Sequence, residues 1–166
     1  MTTSTGIRHK GIQAQKFLRA REATESKLKP SYTRLVMTAT HGHVRVSKLA
    51  EGVSIQKAEQ IRTRANLEEE LFSSIIGYSK VHYRRLQKDT KKLLREGASN
   101  RLYRFAEVLE HAIEFYDGDE ETALRWLSSP NPAFGNEAPM EMLKSEVGAD
   151  MVDGLITQLE LGILPI

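Results

Sequence analysis

Cysteine is absent from this 166-residue chain, which removes disulfides and thiolate metal sites from consideration. Long apolar runs are missing as well; none approaches the roughly 20 residues that a bilayer-spanning helix needs. The segment Met1 to Lys10 is polar and lacks the apolar stretch of a secretory signal, so a cytoplasmic address is expected. The motifs of common chemistry are lacking too. There is no Gly-rich phosphate loop, no nucleophile and base at a known catalytic spacing, and no histidine pair at metal-ligand spacing. Acidic pairs such as Glu120-Glu121 fall at apparent helix starts, where they favour the helix dipole. The expectation is a protein with no catalytic residue, no metal and no cofactor, one that acts by binding and is not an enzyme.

What the chain does have is charge that is sorted along its length. The net value is only +2. Residues 1–105 hold 22 Lys/Arg against 9 Asp/Glu, whereas residues 106–166 hold 2 against 13. The basic front is suited to a polyanion, because phosphate neutralisation drives nucleic-acid binding. The acidic rear would be repelled by one. Two partners of opposite character, or pairing of the two parts with each other, would account for the split.

Hydrophobic periodicity reads as helix. Residues 1–48 form a basic arm, expected to be partly flexible, with a sparse helical pattern over 11–29 ended by Pro30. The stretch 32–49, with Gly42 in its middle, fits either a short hairpin or an irregular lead-in. Ser54 can cap a helix through Ala65 with Ile55, Ala58 and Ile61 on one side. Asn66 followed by Glu69 has the spacing of a capping box opening a helix with Leu67, Leu71, Phe72 and Ile75 as its stripe. Gly77 stops that helix, and Ser79 is placed to cap the next, with Val81, Tyr83 and Leu86. Ser99 can cap a long helix carrying Leu102, Phe105, Ala106, Leu109, Ile113 and Phe115 inward, to about Asp117-Gly118. Asp119 opens a short helix with Ala123, Trp126 and Leu127. A turn follows over 128–132, and Pro139 begins another short helix. Met151, Val152, Leu155, Ile156 and Leu159 then repeat at helical spacing, with Gly162 as the stop. The fold class is all-α.

A helix, a glycine turn and a second helix are the layout of a helix-turn-helix over residues 49–105. Ser73 is small where the two helices must approach, and Tyr83 and Leu86 would be the inward anchors of the second. Its outer face would present Ser79, Lys80, His82, Arg84, Arg85 and Lys88, with the hydroxyl suited to phosphate and the cations to phosphate or guanine edges. The same arrangement occurs in helical bundles that bind nothing, and a Lys/Arg-rich face often only keeps a helix soluble. His82 reads as a surface polar group.

Combinations of residues point further. The front carries Gly77-Tyr78-Ser79, Arg84-Arg85-Leu86 and Ser99-Asn100-Arg101-Leu102. The rear carries Ala123 with Trp126-Leu127, Pro130-Asn131, Pro139, Leu143, and Gly148-Ala149 leading into Val152, Leu155 and Gly162. In these positions the chain, from Gly52 onward, resembles the Xre/MbcA/ParS antitoxins that pair with RES-domain toxins. Two positions depart from the pattern: Asn100 stands where an acid is usual, and Val81-His82 stand where a polar or basic residue followed by Thr is common. The resemblance implies a type II antitoxin that covers the active site of a toxin consuming NAD or transferring ADP-ribose. It implies a repressor of its own operon, and it makes residues 106–166 the toxin-binding domain. The toxin contacts it implies are Trp126, Asn131, Leu159 and the tail Gly162, Ile163, Leu164, Pro165 and Ile166.

The residues themselves leave choices open. Trp126, near Phe134 and Met140, suits a core as well as an interface. The apolar tail could tuck under its own helices or plug a partner. The partners expected are a cognate RES-domain toxin and operator DNA, with a homodimer reading two half-sites about 34 Å apart. The competing reading is a helix-turn-helix transcription regulator without a toxin partner.

Overall fold

The structure is a computed structural model and describes residues 30–37, 42–89 and 91–163. Among them are nine α-helices in chain order: α1 Tyr32–Val36, α2 Gly42–Glu51, α3 Ile55–Arg64, α4 Glu69–Ile75, α5 Lys80–Gln87, α6 Glu96–Phe115, α7 Glu120–Ser128, α8 Pro139–Met142 and α9 Glu146–Glu160. A 3₁₀ turn at Pro132–Phe134 lies between α7 and α8. Among the described residues no strand forms, and one isolated bridge joins Ser54 to Leu93. The all-α reading holds. Of the stretch 32–49, read as hairpin or irregular, the described parts 32–36 and 42–49 are helical instead: Ser31 caps α1 by accepting the amide of Arg34, and residues from Gly42 form α2. The pattern read over 11–29 and the arm's expected flexibility lie outside the described residues.

Local capping chemistry explains most boundaries. The side-chain oxygens of Ser54, Ser79, Asp119 and Ser145 accept the amides of Lys57, His82, Thr122 and Gly148, satisfying donors that a helix start leaves orphaned. Two expected caps are placed differently. Asn66 sits in the left-handed region at φ 51 and makes the turn out of α3, so α4 starts at Glu69 behind a cap, Glu68, that makes no side-chain bond. Leu67 is buried but precedes the helix. Ser99 lies inside α6, which begins three residues earlier. Its buried hydroxyl oxygen accepts the amide of Val53 at 3.0 Å and its O–H donates to Leu94 O at 3.4 Å, fastening α6 to the strand-like crossing at Ser54/Leu93. Gly52 is required there: its φ is +96, and a Cβ would come 2.5 Å from Leu94 O.

From Ser31 onward the chain packs as one unit around α6. Leu102, Phe105, Ala106, Val108, Leu109 and Ala112 line the buried side of that 20-residue helix. The forward part of this core centres on Phe72, whose ring meets Tyr83 at 5.8 Å and Phe105 at 6.0 Å, both edge-on. The rear part is filled by Ala123, Leu127, Met140, Leu143, Val152 and Ile156. Each such large apolar side chain contributes about 1.5–3 kcal/mol by leaving water. The residue-105/106 boundary read from charge falls within α6, which both parts share.

Candidate functional site

α4 and α5 form the turn-linked pair. Gly77 makes the turn at φ +78, and Ser73 is 1% exposed at the close approach. Tyr83 is fully buried, and its hydroxyl donates to Glu59 Oε1, to which Gln87 Nε2 also donates at 3.0 Å. Burial, and then that hydrogen bond, raises the Tyr83 hydroxyl far above its ordinary value, so it stays a donor. Arg62 forks onto the same carboxylate at 3.0–3.3 Å. α5 is thus anchored from the inside by a neutralised, fully bonded acid.

On the outer face the six expected DNA-contacting residues divide. Lys80 Nζ lies 2.9 Å from Glu70 Oε2, and Arg84 Nε lies 2.8 Å from Glu69 Oε2. Those bonds hold both carboxyls below their usual range. Ser79 is exposed, its oxygen already accepting the amide of His82. The His82 ring is stacked on Tyr78 at 4.9 Å and 2°. Arg85 and Lys88 are exposed and, among the described residues, meet no carboxylate. Between them on the helix surface stands Val81, 62% exposed, which was read as part of the helix's apolar set. Hence four of the six are engaged at rest, Lys80 and Arg84 by carboxylates, Ser79 as a cap and His82 by stacking, and Arg85 and Lys88 are open.

The second surface is the acidic rear. Trp126 is half-buried, 6.5 Å from the Tyr116 ring, and packs against the core cluster; Asn131 caps the 3₁₀ turn by accepting the amide of Ala133. Leu159 is half-buried near the end of α9, while Gly162 and Ile163 are exposed just beyond it. Leu164, Pro165 and Ile166 lie outside the described residues. What periodicity misplaced is Met151, which faces outward. With Val147, Gly154, Gln158 and Leu161 it forms a stripe along α9 opposite the core, exposed by 71% at Val147, 47% at Met151 and 69% at Leu161. The signal was available in the sequence: Gly154 in mid-helix, where glycine costs about 1 kcal/mol against alanine, marks a face that carries little of its own packing. Exposed large apolar residues lined up on one face mark an interaction surface more than solvation.

A charged seam fixes α9 to α6. Arg104 Nη2 lies 2.8 Å from Asp150 Oδ1 and 3.0 Å from Asp153 Oδ2, with Glu107 at 3.9 Å from Nη1. His111 bridges Asp153 at 2.6 Å and Glu160 at 3.3 Å. Burial alone would lower the His111 pKa, yet the hydrogen bonds to the two carboxylates win and raise it above 6.5. A raised histidine pKa adds stability that is complete below 6.5 and is lost as pH climbs through the folded-state value. Burial would raise Asp153, but the bonds from His111 and Arg104 lower it, so its share is lost only in acid. Thermal melts from about pH 6 to about pH 9 are expected to show wild-type stability falling on the alkaline side, and His111→Gln to remove that fall, at a cost of roughly 1 kcal/mol at the acid end. An unchanged profile in the variant would separate His111 from the seam.

Residues 111–162, which contain the stripe and the His111, Asp150, Asp153 and Glu160 side of the seam, match the family model described as the antitoxin Xre/MbcA/ParS C-terminal toxin-binding domain. The chain is similar to the Xre/MbcA/ParS antitoxins. It is 28% identical over 139 residues to antitoxin Xre of Yersinia enterocolitica, covering 83% of this chain and 93% of that protein. It is also 38% identical over 66 residues to antitoxin Xre of Photorhabdus laumondii subsp. laumondii, covering 40% of this chain and 45% of that one. Among the described residues no group of acids and histidines could hold a metal, and no helix is long and apolar enough to cross a membrane.

Proposed function

We propose that this protein is a cytoplasmic type II antitoxin that inhibits a RES-domain toxin by covering its active site, and that it represses its own operon as a dimer within the complex. The observation that carries the first half is the outward stripe of α9, running from Val147 to Leu161 inside the matched toxin-binding segment, with exposed Ile163 just beyond it. Its surroundings are acidic, which suits a basic toxin surface and speeds encounter more than it adds affinity. Trp126 and Asn131 stand on α7 and the turn after it as further contacts of the same partner. The protein acts by occupying a cleft and needs no reactive group of its own. The test is co-expression with a RES-domain toxin: growth is rescued if the reading is right, and no rescue leaves a transcription regulator without a toxin partner.

The second half rests on α5. Its open cations are Arg85 and Lys88, while Lys80 and Arg84 must exchange a carboxylate for a phosphate. Arg85→Ala with Lys88→Ala is therefore expected to flatten the salt dependence of operator binding by about two phosphates. Arg84→Ala is expected to cost less than Arg85→Ala, because Arg84 reaches a phosphate only by giving up its ion pair with Glu69. Gel-shift titrations over a salt series read both. Binding unchanged at every salt concentration would remove α5 from the DNA interface.

A further inference from the structure

The turn before α5 and the first turns of α6 enclose an open concavity of about 350 Å³, lined by Gly77, Tyr78, Arg95, Gly97, Ala98 and Arg101 among others. We infer that this concavity is the seat of a DNA backbone phosphate, gripped by Arg95 and Arg101. The inference rests on the DNA-binding reading above and extends it to a surface that neither the charge run of α5 nor the helix-turn-helix layout singles out.

Three observations carry it. First, the charge there is uncompensated. Lys80, Arg84, Arg62, Arg64 and Arg104 all meet carboxylates. Arg95 and Arg101 are exposed, and among the described residues no ion pair holds either of them and no acid lines the concavity. Two guanidinium groups without a counter-charge in a recess concentrate positive potential, and their planar forks match phosphate oxygens.

Second, the recess is shaped for close approach. A Cβ on Gly77 would come 2.7 Å from Arg101 Nη1, so the guanidinium lies flush against the backbone of the turn. A Cβ on Gly97 would meet nothing within 4 Å, so the opposite wall is bare. Larger residues at either position would fill the space that a sugar-phosphate strand needs.

Third, the recess is coupled rigidly to α5. The Arg95 amide donates to the Tyr78 hydroxyl at 3.1 Å, and the Arg95 guanidinium lies 5.6 Å from the Tyr78 ring centre. The other neighbour of that ring is His82, stacked in the first turn of α5. A phosphate seated between Arg95 and Arg101 therefore fixes the register of the helix that carries Arg85 and Lys88. That is the positioning role of backbone contacts, as distinct from the reading of bases.

The test uses the full chain and two duplexes of about 30 base pairs, one from upstream of its own reading frame and one scrambled, titrated over a salt series. Arg95→Ala with Arg101→Ala is expected to weaken both duplexes about tenfold or more near 0.1 M salt and to flatten the slope of log affinity against log salt by about 1. Arg101→Lys, which keeps the charge and loses the fork, is expected to fall between. Should Arg101→Ala impair folding, read as a lowered Tm, the exposed Arg95→Ala carries the measurement alone. Wild-type affinity and slope in the arginine variants, with loss in Arg85→Ala/Lys88→Ala, would overturn the seat and leave the recognition helix standing. No change in either set would overturn the DNA-binding reading itself.

Discussion

A chain shortened by residues 162–166 is expected to fold as the full protein does and to lose toxin neutralisation, with affinity for the toxin down by about 100-fold or more, the scale of losing an interface hot spot. The reason lies in how α9 ends. Leu161 closes the helix, Gly162 turns away at φ +70, and the amides of Gly162 and Ile163 return to Leu159 O and Gln158 O at 3.0 and 2.8 Å. That left-handed cap launches the chain off the helix while Ile163 stays 54% exposed. An apolar side chain held in water beside the still more exposed Leu161 gains little from the fold, so its removal costs the fold little beyond the cap bonds. It gains a great deal if a partner buries it. Toxin activity in the presence of the truncated chain, together with its melting temperature, reads both consequences. Full inhibition by the shortened protein would take the tail out of the mechanism and leave the face of α9 as the contact.

What the sequence discloses follows the range of the interactions involved. Ser54, Ser79 and Asp119 are legible as caps because a cap is a contact between residues three apart. Ile55, Ala58, Ile61, Phe72, Leu102 and Leu109 are legible because a buried stripe repeats with the helix period. Asn66 misleads because a residue that can cap can also adopt a left-handed turn, and only the path of the chain after α3 decides between them. Ser99 misleads for a similar reason: its hydroxyl serves Val53, 46 residues away, a partner no local pattern names. The same limit hid the carboxylates on Lys80 and Arg84. Glu69 and Glu70 read as a favourable start for α4, and only the fold of the turn at Gly77 brings them against α5. Charge sorting thus pointed to a basic surface, but which of its cations are open depends on tertiary pairing.

The two glycines of α9 give the sharpest contrast. Gly148 has an ordinary helical backbone, yet a Cβ there would come 2.0 Å from Met142 O and 2.8 Å from Met142 C. Those are backbone atoms, fixed because the α8 end and the first turn of α9 close on each other through Ser145, whose amide donates to Met142 O and whose hydroxyl accepts the Gly148 amide. No rotamer change relieves such a contact. Gly148→Ala must push α9 outward, lifting Ala149, Val152 and Ile156 from their seats against α6. The expected cost is about 3 kcal/mol, the upper part of the usual overpacking range. For a domain of this size that is roughly 6–12 °C in Tm. Gly154 is the opposite case, exposed and with nothing within 4 Å of a Cβ. Gly154→Ala is expected to stabilise the free protein by about 0.5–1 kcal/mol, since glycine surrenders more freedom on folding. Its presence in the middle of the stripe is then explained by what approaches the helix there, and the same alanine is expected to weaken toxin binding while raising Tm. Thermal melts of both variants beside a toxin-inhibition titration separate the effects. A Gly148→Ala protein as stable as wild type would contradict the close approach of α8 and α9. A Gly154→Ala protein that is more stable and fully inhibitory would move the toxin off the outer face of α9.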